Sequence, residues 1–161
     1  MTDPSRLTHV DESGAARMVD VSDKDVTART ATASGRVLVS AEVVALLRGD
    51  GVPKGDALAV ARIAGIQAAK RTPDLIPLCH PIAVHGVDVE LDVEDDHVTI
   101  LARVRTADRT GVEMEALTSV AVAALALVDM VKSVDRGAVV SDIRLEEKTG
   151  GRSGTWTRAG G

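Results

Sequence analysis

A chain of 161 residues with a formal charge of −5 has the size of one ordinary domain, which excludes two large ones and argues against an electrostatic grip on nucleic acid or an anionic membrane. At this length folding buries roughly 70% of the unfolded chain's surface, so neither disulfides nor a structural metal are needed to hold it together. Apolar residues make up 45% of the chain, yet Phe and Tyr are absent and Trp156 is the single aromatic, so Ala, Val, Leu and Ile must fill the core and base stacking is almost excluded as a recognition mode.

The first 17 or so residues are polar and expected to be mobile, and Met1-Thr2-Asp3-Pro4-Ser5-Arg6 lacks the apolar run of a secretory signal. A diluted alternation from Ala28 to Ala33 marks a weak strand. Ser40 as N-cap and Gly49 as stop frame a short helix. A long helix is predicted from about Lys54 to Arg71, ended by Pro73. Along it Ala57, Ala61, Ala64, Gly65 and Ala68 form a small-residue stripe that permits close backbone approach, widened by Leu58, Ile63 and Ile66. Pro77-Leu78-Cys79-His80-Pro81 reads as a rigid segment between two prolines.

A hairpin follows: Val87, Val89, Leu91 and Val93 alternate with acids, Glu94-Asp95-Asp96-His97 turns, and Val98, Ile100, Ala102 and Val104 alternate again. A second long helix, about Val112 to Val134, presents Leu117, Val120, Ala121, Ala124, Leu127, Val128 and Val131 on one face. Its uncharged stretch from Ala116 to Val128 is shorter than the roughly 20 residues of a membrane helix, but wider than one small sheet covers, so a subunit interface is expected. A weak strand near Val139 to Glu147 and a flexible Gly/Arg/Ser-rich tail from Thr149 complete a single domain spanning residues 1–161. Alternation with one charged face describes an antiparallel sheet with helices packed on the other face, an α+β architecture.

Chemistry-bearing residues interrupt these elements at five places. Asp129 and Lys132, at i, i+3 on the second long helix, fit either a surface ion pair or a general acid/base pair. Cys79 and His80 should point apart in an extended segment, so a hydrogen-bonding wall for a polar ligand, or a merely structural turn, is expected rather than a thiolate–imidazolium pair. One Cys and four His, without zinc-like spacing, argue against a metal site, and the lone cysteine excludes an internal disulfide and suits a reducing cytoplasm. Lys54-Gly55-Asp56 opens the first long helix, where the helix dipole and a lysine attract an anion unless the start is simply solvated. Glu113 and Glu115, two residues apart at the second long helix's start, lie on different faces, so one can cap while the other meets a ligand. Lys148-Thr149-Gly150-Gly151-Arg152-Ser153-Gly154 suits phosphate oxygens but is no Walker A loop.

Long ordered strings tie these places together: Leu7-Thr8-His9-Val10-Asp11, Met18-Val19-Asp20-Val21-Ser22, Lys54-Gly55-Asp56, Ala61 through Thr72, Asp74 through Pro81, and Thr110 through Thr118. In them the chain resembles the MoaC family, the cyclic pyranopterin monophosphate synthases of molybdenum cofactor biosynthesis. The resemblance implies a ferredoxin-like subunit in a homohexamer, a trimer of dimers, with active sites at subunit interfaces. It also implies conversion of 3',8-cyclo-7,8-dihydroguanosine 5'-triphosphate to cyclic pyranopterin monophosphate and diphosphate.

By the same resemblance Asp129 is a catalytic acid/base and Lys54 and Lys132 are catalytic lysines. Leu78, Cys79, His80, Met114 and Glu115 bind substrate, and Glu113, Arg29, Lys70 and Lys148 are further pocket candidates. Such chemistry calls for Asp129 and the lysines to have pKa values shifted toward neutrality. No redox cofactor is implied, and Mg²⁺ can accompany the triphosphate without a protein cage. Lys54, His80, Asp129 and Lys132 are expected from one subunit, with Arg29 or Lys148 from its neighbour. A non-catalytic module binding a phosphorylated metabolite would need the cations but not Asp129, and a pure assembly protein would need neither.

Overall fold

In the computed structural model, which describes residues 8–160, five strands and four helices follow one another as β1 (Thr27–Leu38), α1 (Ala41–Arg48), α2 (Ala57–Lys70), α3 (Thr72–Leu75), β2 (Val84–Val93), β3 (His97–Asp108), α4 (Glu113–Val131), β4 (Val139–Thr149) and β5 (Trp156–Thr157). The wholly antiparallel sheet has the order β2-β3-β1-β4-β5. With α2 and α4 packed on one face, this is the ferredoxin-like arrangement extended by one short strand. Residues 1–7, part of the segment expected to be mobile, lie outside the described residues.

The β2–β3 hairpin forms where alternation predicts it, and its buried side chains Val89, Leu91, Val98, Ile100, Ala102 and Val104 face the helices. The weak first strand is instead the sheet's centre. It runs for 12 residues and pairs with β3 on one side and β4 on the other. Its inward residues are Ala31, Ala33, Gly35 and Val37, small enough that periodicity gives them little weight yet necessary for α4 to settle close. A Cβ on Gly35 would lie 2.7 Å from Val120 Cγ1.

The small-residue stripe of α2 makes a second close approach. A Cβ on Gly65 would meet the Ser119 carbonyl at 3.1 Å, and Ala61 and Ala68 are buried beside it. Ile63, expected to widen that buried face, is 65% exposed; it sits on the side of α2 turned away from α4 and the sheet. Pro73 does not end helical structure outright, because it occupies the first turn of α3, where its missing N–H costs no hydrogen bond. By length and composition α4 is apolar enough to cross a membrane, but Val120, Ala124, Leu127 and Val131 are buried against the sheet and α2. The stretch after Thr149, expected to be flexible, carries β5, which pairs Trp156 with Lys148 and Thr157 with Glu147.

Candidate active site

Helix α4 carries a chemically distinct cluster at each end. At its C-terminal end Asp129 sits between two ammonium groups: Lys132 Nζ lies 2.7 Å from Asp129 Oδ1, and Lys54 Nζ lies 3.5 Å from the same oxygen. Lys54 also donates to the Asp129 carbonyl at 2.9 Å, where the helix end offers its negative pole. Lys54 reaches this point from a tight turn closed by the Gly55 N–H to the Val52 carbonyl, anchored by buried Val52, with Gly55 at φ 118°.

Lys54 therefore does not serve the start of α2. That helix begins at Ala57, and the Asp56 side chain caps it by accepting from the Ala59 N–H at 3.0 Å. The expected drift of Asp129 toward neutrality is also absent in the protomer. The Lys132 hydrogen bond and charge, helped by Lys54, hold this exposed carboxyl below its usual range.

At the N-terminal end of α4 a cavity of about 300 Å³ opens between the 76–80 turn, the start of the helix and the segment from Thr8 to Lys24. Leu78, Cys79, His80, Glu113, Met114 and Glu115 all line it. Cys79 and His80 share this cavity although adjacent residues of an extended segment would diverge. The chain turns here, with the Cys79 N–H donating to the Ile76 carbonyl, so strand alternation does not apply. No hydrogen bond joins them among the described residues; His80 Nε2 donates to the Val19 carbonyl, pinning the N-terminal segment over the cavity and leaving Nδ1 as its second polar atom.

Glu113 and Glu115 likewise line the same cavity despite their i, i+2 spacing. Glu115 is only 3% exposed, its Oε2 has no hydrogen-bond partner among the described residues, and burial, with a further push from Glu113, raises its pKa to about 7. Burial, reinforced by the nearby Glu115, also raises the Cys79 thiol, so this is no activated nucleophile in the protomer.

The remaining candidates divide. Arg29 lines a neighbouring cavity with Lys24, Asp25, Thr27, Gly151, Arg152 and Ser153, and donates to the carbonyls of Asp108 (3.1 Å) and Arg109 (3.3 Å). Lys148 donates to Ser153 Oγ within the turn that closes this cavity. Gly150 and Gly151, at φ 90° and 74°, press on Arg29; a Cβ on Gly151 would fall 2.2 Å from its Nη1. Lys70 is exposed in the last turn of α2 and lines neither cavity. Thr8, His9, Lys24 and Thr110 join the first cavity without having been singled out by the sequence reading. The family strings contain Thr8, His9 and Thr110 but not Lys24, and polar residues in a loop have no periodicity to betray them. Among the described residues no group of three His, Cys, Asp or Glu is assembled as a metal ligand set.

The two clusters are far apart within one protomer. Fourteen residues of unbroken helix separate Glu115 from Asp129, about 20 Å along the axis. His80 and Asp129 therefore do not form one pocket in a single chain, contrary to the expectation that one subunit supplies both.

The chain is similar to known proteins over most of its length. A protein from Streptomyces avermitilis named cyclic pyranopterin monophosphate synthase is 75% identical over 154 residues, covering 96% of this chain and 91% of its own length. One of the same name from Nocardioides is 74% identical over 158 residues, covering 96% and 97%. The Mycobacterium tuberculosis protein named cyclic pyranopterin monophosphate synthase 2 is 62% identical over 152 residues, covering 94% and 91%. The model of the MoaC family matches residues 18–151, which include both ends of α4 and both cavities apart from Thr8, His9 and the last two residues of the 151–153 turn, and the chain belongs to the MoaC family.

Proposed function

We propose that this chain converts 3',8-cyclo-7,8-dihydroguanosine 5'-triphosphate to cyclic pyranopterin monophosphate and diphosphate, in a site built where the Lys54–Asp129–Lys132 cluster of one protomer meets the His80–Glu115 cavity of another. It is an enzyme of molybdenum cofactor biosynthesis, a lyase, and its relatives are named cyclic pyranopterin monophosphate synthase. The observation that carries the mechanism is a carboxylate held between two ammonium groups, one of them on Lys54, 75 residues from Asp129 in sequence, an arrangement that folding assembles and no local motif dictates.

The chemistry asks for two things. Opening and reclosing rings on a guanine-derived base needs groups that give and take protons near neutral pH. Glu115 supplies a carboxyl already poised near pH 7, Lys54 and Lys132 donate, and Asp129, whose pKa is depressed in the protomer, accepts once a neighbouring subunit covers it and raises that pKa. Closing the cyclic phosphate needs a sugar hydroxyl to attack the α-phosphorus, its proton passing to a basic group of the site as the bond to the β-phosphate breaks. Cations must then hold the departing diphosphate, a task for Arg29, Arg152 and Lys148. The overall change is redox-neutral, so no redox cofactor is called for, and Mg²⁺ accompanies the triphosphate. The exposed apolar side chains Val60, Ile63 and Leu125 on the helical layer offer surface for the homohexamer, and the enzyme works in the cytoplasm.

Mass spectrometry of the purified protein incubated with the cyclised triphosphate tests the reaction. Reassembly of Asp129→Asn with His80→Ala protein tests the shared site. If each site takes one side from each of two subunits, about a quarter of sites in a random mixture hold both native side chains, and activity returns to that fraction. Mixed assemblies that stay inactive would show that the clusters act in separate places.

A further inference from the structure

The C-terminal end of α4 is tied at two points to the segment that carries Lys54, and the proposed reaction uses only one of them. The first is Lys54 itself, whose ammonium group donates to the Asp129 carbonyl at 2.9 Å. The second lies just past Lys132. Asp135 Oδ2 accepts from the Ser40 N–H at 2.8 Å and Asp135 Oδ1 accepts from the Gly137 N–H at 2.8 Å, so each carboxylate oxygen is held by a backbone donor. The Asp135 N–H in turn donates to the Val131 carbonyl at 2.9 Å, which fixes this carboxylate to the last turn of α4. Ser40 is the N-cap of α1, where a negative charge also suits the positive end of the helix.

From Ser40 the chain reaches Lys54 without a loose stretch. Helix α1 is docked by the buried Val43 and Val44, the Gly51 N–H returns to the Leu46 carbonyl at 2.9 Å, and Val52 is buried below the turn that presents Lys54. A shift at Ser40 is therefore passed along α1 to that turn. Arg48, at the other end of α1, reaches Asp95 and the Val93 carbonyl at 3.2 Å, but both charged side chains are largely exposed and the pair adds little. The tie at Asp135 matters most when Lys54 is at work. To donate to a substrate, Lys54 must give up its hydrogen bond to the Asp129 carbonyl, and the segment then keeps its hold on the end of α4 through Asp135.

We propose that Asp135 is a positioning residue: by holding the Ser40 N–H it keeps Lys54 in register with Asp129 and Lys132 while the Lys54 ammonium group is engaged with substrate. This rests on the function proposed above. Asp135 itself touches no substrate and moves no proton.

Two variants remove the tie from opposite sides. Asp135→Ala takes away the acceptor, and Ser40→Pro takes away the donor while fitting the φ of −68° that Ser40 already has. Ser40→Ala is the control, since it loses the hydroxyl that caps the Val43 N–H but keeps the backbone donor. Asp135→Ala and Ser40→Pro should each lower kcat about tenfold with KM changed by about twofold or less, and Ser40→Ala should lose no more than about twofold. Asp135→Asn, which retains one acceptor oxygen, should fall between. In a Lys54→Ala background Asp135→Ala should cost about twofold or less further, because the side chain it positions is gone. Hydrogen exchange reads the tie without turnover: amides of residues 41–55 should exchange about tenfold faster in the Asp135→Ala protein, with those of β2 and β3 unchanged. Unchanged kcat in both tie variants, a full further loss in the Lys54→Ala background, Ser40→Ala matching Ser40→Pro, or exchange that is unchanged or faster throughout the sheet would each overturn the proposal. Turnover of the cyclised triphosphate by the wild type is measured first; its absence would overturn the reaction itself, whereas the exchange pattern decides whether Asp135 holds the Lys54 segment.

Discussion

The two ends of α4 present the same chemical group in opposite states. At the N-terminal end Glu115 is almost fully buried, lacks a partner for one oxygen, and has its pKa raised to about 7. At the C-terminal end Asp129 is exposed, held by Lys132 and Lys54, and pushed below its ordinary range. Helix polarity does not explain the contrast, since the positive end of the dipole would favour an ionised Glu115. Desolvation wins at one end and neighbouring charge at the other. The lesson is that the sequence position of a carboxylate says little about its protonation, while the cover over it says much.

The largest expected effect comes from the C-terminal end. Asp129→Asn keeps the side chain's shape and removes its negative charge, so turnover should fall by about 10²- to 10⁴-fold while the assembly and secondary structure are retained. Single-turnover rates with the cyclised triphosphate, alongside sizing chromatography, check it. A folded Asn variant with near-normal rates would reduce this cluster to a surface ion pair and leave the proton chemistry to the other end.

How much of this contrast was legible beforehand depends on which physical signal each residue carries. The hairpin and both long helices announce themselves by alternation and by apolar stripes, because Val, Leu and Ala repeat at the period their burial requires. The central strand β1 is muted because the positions facing the helices are Ala31, Ala33 and Gly35, whose smallness is what the close packing of α4 needs. At the site, i, i+3 spacing correctly pairs Asp129 with Lys132, but the arrival of Lys54 is a tertiary event from 75 residues away. For Glu113 and Glu115 the helical-face argument misleads, since the cavity caps the end of the helix and both residues reach it there. Burial of Glu115 depends on the 76–80 turn and the N-terminal segment closing over it, which no local pattern encodes; the family strings alone flagged these residues together.

Glu115 offers the next largest effect, read in stability rather than rate. Its folded pKa, about 7, lies above the unfolded value near 4.5, so between those values the folded chain retains a proton that the unfolded chain has released. Stability must therefore fall as pH rises through this window, with the full penalty present above about pH 7. Glu115→Gln has no such proton to lose. Comparing denaturant midpoints at pH 5 and pH 8, the wild type should lose about 2 kcal/mol more than the variant, allowing for solvent on the open side of the cavity. Parallel pH profiles for the two proteins would mean that Glu115 is ionised in the fold and that the contrast between the two ends of α4 does not exist.

The smallest effect, and the sharpest probe of assembly, is the stability contribution of Asp129. Its folded pKa is depressed, so whatever it adds is present above the ordinary carboxylate range and is lost only as pH falls through its lowered value. Between pH 5 and pH 8 the thermal midpoints of wild type and Asp129→Asn should run parallel, with a gap smaller than the Glu115→Gln effect and narrowing in about 1 M salt, because exposed charge pairs are screened. Activity and stability then separate: the same substitution that removes turnover barely moves the melting curve. A gap that instead changes steeply between pH 5 and pH 8 would show Asp129 titrating near neutrality. Within one protomer nothing raises its pKa that far, since two ammonium groups and open solvent both favour the carboxylate. The added desolvation would have to come from a neighbouring subunit covering this end of α4, and the slope should then disappear when the assembly is dissociated by dilution.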